Sequence, residues 1–135
     1  MARQTATKLK ALELTDNLVQ STTVTTKATA GAVTYTVAEF TGGLILRDPA
    51  GAAREDVTPT AAALYTELGD PAVGGTFDVV IRNTADADET ITMTAGTGVT
   101  ISGTATIGQN NTKIFRCVFT SPSAVTMYSI GTLVH

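Results

Sequence analysis

The chain has 135 residues, enough for one domain. One Cys and one His exclude a disulfide framework and a four-ligand Cys/His zinc site, and leave only the last residue, His135, for any Ser–His–Asp triad. A formal net charge of −3 with 16% charged residues is too weak, and of the wrong sign, for a general nucleic-acid binder.

Thr fills 27 positions, Val 12 and Ile 7, so β-branched residues make up a third of the sequence and strands are expected to dominate. Charge is unevenly spread. Residues 1–30 carry Arg3, Lys8, Lys10 and Lys27 against Glu13 and Asp16, while the remainder is net acidic. No apolar run reaches the length of a membrane span, and none follows the basic start to form a secretory signal. A cytosolic site of synthesis is expected, with Cys117 a reduced, buried thiol.

Residues 1–20 read as an N-terminal arm. Leu9, Leu12, Leu14, Leu18 and Val19 stand among Lys, Glu, Asp and Gln, a pattern compatible with a short helix or a strand. Those leucines ask for an apolar surface to cover. From residue 21 the sequence is Thr-rich. Ser21 to Thr26 and Val33 to Val37 read as two extended runs around Ala30-Gly31, a hairpin or two edge strands. In the second run Val33, Tyr35 and Val37 share one face. Leu44-Ile45-Leu46 reads as a buried strand, and Asp48-Pro49-Ala50-Gly51 as a turn.

One helix is predicted. Thr58 is its expected N-cap, Pro59 its first residue and Gly69 its stop, with Ala61, Leu64, Tyr65 and Leu68 forming one apolar stripe. Short strands follow. Phe77, Val79 and Ile81 alternate with polar neighbours; Thr90 to Thr94, Val99 to Ser102, Thr104 to Ile107, Lys113 to Thr120 and Ala124 to Ile130 continue the series between Gly-, Asn- and Pro-bearing turns. Turns this short argue for antiparallel pairing. The expected fold is therefore mainly β: an antiparallel, jelly-roll-like β-sandwich over residues 21–135, with one short helix inserted between strands, preceded by the arm.

The candidate chemistry is thin. Asp86, Asp88 and Glu89 could supply clustered oxygens to Ca²⁺, but they lack the EF-hand pattern and read as an acidic turn. Glu55 and Asp56 precede the predicted helix and suit its positive end. Glu39 and Asp78 fall in strand-like stretches, with no sign that they face one another across a cleft. Gly96-Thr97-Gly98 and Gly42-Gly43 match no phosphate-binding loop and read as turns. Phe115-Arg116 is the nearest approach to a nucleic-acid stacking platform. Tyr35, Tyr65 and Tyr128 are the rings that could meet a sugar. No catalytic, metal or cofactor site is predicted, and an enzyme is not expected.

Several stretches carry a resemblance: Gly42-Gly43-Leu44-Ile45-Leu46-Arg47-Asp48-Pro49, the helix Pro59 to Leu68, Phe77-Asp78-Val79-Val80-Ile81-Arg82-Asn83, Thr90 to Val99, Gly103 to Ile107, and Asn110-Asn111-Thr112. Over residues 42–128 the sequence resembles small structural proteins of tailed bacteriophages, in particular capsid decoration (cement) proteins. The resemblance implies a β-rich, commonly trimeric unit, located on the virion at the outer capsid surface, that binds the major capsid protein and stabilises the shell, with no membrane and no direct nucleic-acid contact. The residues expected to touch capsid or a sister subunit are Arg3, Lys8, Leu9, Lys10, Leu12 and Leu14. Decoration proteins that begin with a Pro/Gly-rich segment differ from this chain, which begins with Lys and Leu. A tail, neck or fibre module, and a carbohydrate-binding or adhesion domain, are the alternatives.

Overall fold

The computed structural model describes residues 21–135. Nine strands and two short helices follow in the order β1 (Thr23–Lys27), α1 (Val37–Thr41), β2 (Gly43–Arg47), β3 (Arg54–Val57), α2 (Ala61–Glu67), β4 (Thr76–Asn83), β5 (Ile91–Thr94), β6 (Val99–Ser102), β7 (Thr106–Ile107), β8 (Asn111–Ser121) and β9 (Ala124–Val134). They form a six-stranded sheet, β1-β2-β4-β8-β9-β6, and a three-stranded sheet, β3-β5-β7. The mainly β expectation therefore holds.

The expectation of antiparallel pairing does not. β1–β2, β2–β4, β3–β5 and β6–β9 are parallel. Only β4–β8, β5–β7 and β8–β9 are antiparallel. The physical reason is that the connections from β2 to β8 cross from one sheet to the other instead of joining neighbours in one sheet. A chain that reverses at each crossing brings β4 back beside β2, and β5 beside β3, in the same direction. Residues 30–37 are corrected too. β1 makes no hairpin with them; Thr34 instead forms an isolated parallel bridge with Val57.

A second helix also stands where an extended run was expected. Thr36 ends the strand-like alternation with its hydroxyl accepting from the Glu39 backbone at 3.2 Å, while the Glu39 carboxylate accepts from the Thr36 backbone at 2.8 Å. This reciprocal capping box satisfies two amides that the first helical turn would leave open. α2 starts two residues later than predicted: Thr60, not Thr58, caps it by accepting from the Ala63 backbone. Thr58 is buried, and its hydroxyl accepts from the Gly96 amide at 2.9 Å.

Both sheets contribute to one core. Ile45, Val79, Ile81, Phe115, Cys117, Phe119, Val125 and Met127 come from the six-stranded sheet; Ile91, Met93 and Ile107 come from the smaller one. Phe40 of α1, Ala61 and Leu64 of α2, and Tyr35 just before α1 complete it. Each buried Val, Leu, Ile, Phe or Met side chain contributes roughly 1.5–3 kcal/mol by leaving water, and Ala61 less. The few aromatics are concentrated here. Tyr35, Phe40, Phe77, Phe119 and Tyr65 form an unbroken chain of rings with centroids 5.8–6.4 Å apart, tying both helices to the large sheet.

Gly96 and Gly98 are packing turns. A Cβ on Gly96 would sit 2.5 Å from the Thr58 carbonyl; one on Gly98, where φ is +79°, would overlap the Ser123 carbonyl. Between them the Thr97 carbonyl accepts from the Ala61 amide at 2.9 Å, which fixes the start of α2 against the loop.

Candidate interaction surface

The predicted contact residues Arg3, Lys8, Leu9, Lys10, Leu12 and Leu14 lie outside the described residues. The other candidates are all placed. Among the described residues no group of three His, Cys, Asp or Glu side chains could hold a metal ion, so Asp86, Asp88 and Glu89 do not converge. Glu89 turns inward, and its Oε2 has no hydrogen-bond partner. Glu39 is paired with Lys27, Nζ to Oε1 2.6 Å. Its burial works to raise the carboxyl pKa, but the hydrogen bonds from Lys27 and Thr36 outweigh that and hold it below the usual range. Cys117 is buried, and desolvation pushes its thiol up to about 12, which makes it an inert core residue.

Asp56 is the largest surprise. It is fully buried on β3, where it cannot serve the start of α2 as expected. Arg47, also fully buried, donates Nε to Asp56 Oδ2 at 2.7 Å, and the Tyr35 hydroxyl donates to the same oxygen at 2.9 Å. The other carboxylate oxygen accepts from the Val33 amide at 3.1 Å. Arg47 Nη2 adds a second bond to Asp56 Oδ1 at 3.3 Å, and its other donors reach the carbonyls of Thr29 and Gly31, both at 2.8 Å, and of Asp48. Burial, then the Asp56 carboxylate, drives the Tyr35 phenol well above its ordinary pKa. Every partner is internal, so this cluster pins the 28–33 loop to both sheets. A signal was present in the sequence: Arg47 stands two residues after Ile45 on one strand and must share its buried face.

Tyr35 is thereby removed from the sugar-contact reading, and Tyr65 packs edge-on against Phe119. Tyr128 remains exposed. Phe115 and Arg116 point to opposite faces of the sheet, one buried and one exposed, so they do not make a stacking platform.

The six-stranded sheet has a second face that adds nothing to the core. Val24, Leu44, Val80 and Ile114 stand in register across four adjacent strands: Val24 opposite Leu44, Leu44 opposite Val80, Val80 opposite Ile114. The row continues to Gly131 of β9, where a bulge leaves the neighbouring Ile130 exposed. Val24 is 54% exposed and Ile130 53%, and the three aliphatic residues between them are half-buried. A Cβ on Gly131 would meet nothing within 4 Å, so the row ends in open space. On the same face Arg116 donates Nε to Asp78 at 2.9 Å and Nη2 at 3.0 Å. The Arg116 hydrogen bond holds the Asp78 carboxyl below its ordinary pKa.

A groove of about 490 Å³ adjoins this row, lined by Ser21, Thr22, Gly42, Asp78, Val80 and Arg116 among others. Its walls are hydroxyls, backbone, the apolar side chains of Phe77 and Val80 and one ion pair, and among these described residues no nucleophile faces a base. The first described residue, Ser21, is itself part of the wall.

Compared with known proteins, the chain matches no protein-family model, no curated protein and no solved structure.

Proposed function

We propose that the chain is a non-enzymatic structural module of a tailed-bacteriophage particle: a capsid decoration protein, commonly trimeric in such shells, that binds the major capsid protein from outside. In this reading its two sheets are the layers of a β-sandwich, although the mixed strand pairing departs from an all-antiparallel jelly roll. The observation that carries the proposal is the registered aliphatic row on the open face of the six-stranded sheet, on a unit whose buried Arg47–Asp56 pair is spent internally. Such a face suits association, because covering it adds apolar burial to a small core.

The mechanism is mechanical. Each bound copy bridges neighbouring capsid subunits, and its binding free energy opposes rupture of the shell by the packaged DNA. Arg3, Lys8 and Lys10 meet acidic capsid surface, while Leu9, Leu12 and Leu14 bury apolar area. Cryo-electron microscopy of the assembled particle tests this. Density for residues 21–135 at junctions between major capsid subunits is the expected result; density in the tail, neck or fibre would replace it with a different structural role. The exposed Tyr128 favours one second reading, a glycan-contacting surface, which a glycan array with no hits would remove.

A further inference from the structure

We infer that the open face of the six-stranded sheet is the docking site of the chain's own leucine-bearing arm, residues 9–19. This goes beyond the proposed capsid role and does not depend on it: it describes the free chain, in which the arm covers the row that capsid or a sister subunit would take over on the particle.

Three observations converge. The first is where the arm joins. Residue 20 connects to Ser21, and Ser21 and Thr22 form one wall of the groove whose other wall carries Asp78, Val80 and Arg116. Any path from residue 20 therefore starts beside the outer face. The second is reach. The row from β1 to β9 spans about 20 Å at the usual strand spacing. Residues 9–20 cover about 18 Å as a helix and up to about 40 Å extended, so a helix spans most of the row and an extended segment crosses it. The third is chemical fit. The arm offers Leu9, Leu12, Leu14, Leu18 and Val19. The face offers Val24, Leu44, Val80 and Ile114, with open space over Gly131 at the end of the row.

Tethering favours this occupant over a second copy at low concentration, since a linked segment meets its site at an effective concentration in the millimolar range. Docked leucines would leave Arg3, Lys8 and Lys10 displayed near the sheet rim, available to an acidic partner.

The test uses the full chain carrying Ala11→Cys, modified with a nitroxide. Cys117 needs no replacement, since its buried, high-pKa thiol does not compete for the reagent. Methyl resonances of Val24, Leu44, Val80 and Ile114 are expected to lose most of their intensity in dilute solution, and those of Met93 and Ile107 in the small sheet to lose much less. Ile114→Glu, or Val24→Glu at the exposed edge should the first fail to fold, is expected to restore the signals without moving the core resonances. No intensity loss at the outer row would overturn the inference. Loss seen only when spin-labelled and isotope-labelled copies are mixed would overturn it as well, by assigning the face to another molecule's arm.

Discussion

The two faces of the six-stranded sheet are built from the same residue types and do opposite work. On the inner face, Ile45, Val79, Ile81, Phe115 and Met127 are sealed from water, and even the charges are consumed. Arg47 and Asp56 are both fully buried and bonded. On the outer face, Val24, Leu44, Val80 and Ile114 form an equally regular row with only partial cover, and the ion pair there is open to solvent, with Arg116 and Asp78 side chains 52% and 43% exposed. Two Arg–Asp pairs of similar geometry thus have different consequences. The inner pair has no water to replace a lost partner; the outer pair has.

Breaking the inner pair should have the largest effect. Asp56→Ala leaves Arg47 buried without a counter-charge, and the expected cost is about 3–5 kcal/mol in urea denaturation followed by circular dichroism. A midpoint unchanged from the parent chain would mean that the cluster is not the pin described above. Gly98→Ala comes next. It forces a side chain onto a positive φ and against the Ser123 carbonyl, with an expected loss of about 1–3 kcal/mol. Tyr35→Phe removes one buried hydrogen bond to Asp56 while keeping the ring, and should cost about 1 kcal/mol.

The outer pair gives the smallest effect and a defined pH dependence. Asp78 titrates below its ordinary value in the folded chain because Arg116 donates to it. Its contribution is therefore present above the unfolded carboxyl pKa and is lost as pH falls through the folded value. Solvent screening keeps it a small fraction of the Asp56 effect. Asp78→Asn should flatten that acid limb slightly, and added salt should do the same to the parent chain. A loss as large as that of Asp56→Ala would erase the contrast between the faces.

The apolar residues of the inner face were legible in the sequence. The alternation of Phe77, Val79 and Ile81, and of Ile91 and Met93, placed the correct side chains inward because period-2 facing is a local property of a strand. Strand partnership was not legible, because pairing is decided by which sheet the chain enters next. The stretch Thr36-Val37-Ala38-Glu39 did carry the signature of a capping box, but it followed directly on the Val33–Val37 alternation, which hid the helix. The buried role of Asp56 had no local signal; it exists only because β2, β3 and the 28–33 loop meet. The aliphatic row was hidden for the same reason. Val24, Leu44, Val80 and Ile114 are scattered in sequence and become neighbours only through the registers of three strand pairs.

The central claim is that the outer row is covered in the intact chain. Its most direct measurement is the relaxation of the Val80 and Ile114 methyls by a soluble paramagnetic probe, compared in one sample with inward-facing Val79 and Ile81 and with exposed Val73. Shielding close to that of Val79 and Ile81 is the predicted result. Relaxation as strong as that of Val73 would mean that water reaches the row freely and nothing sits on it.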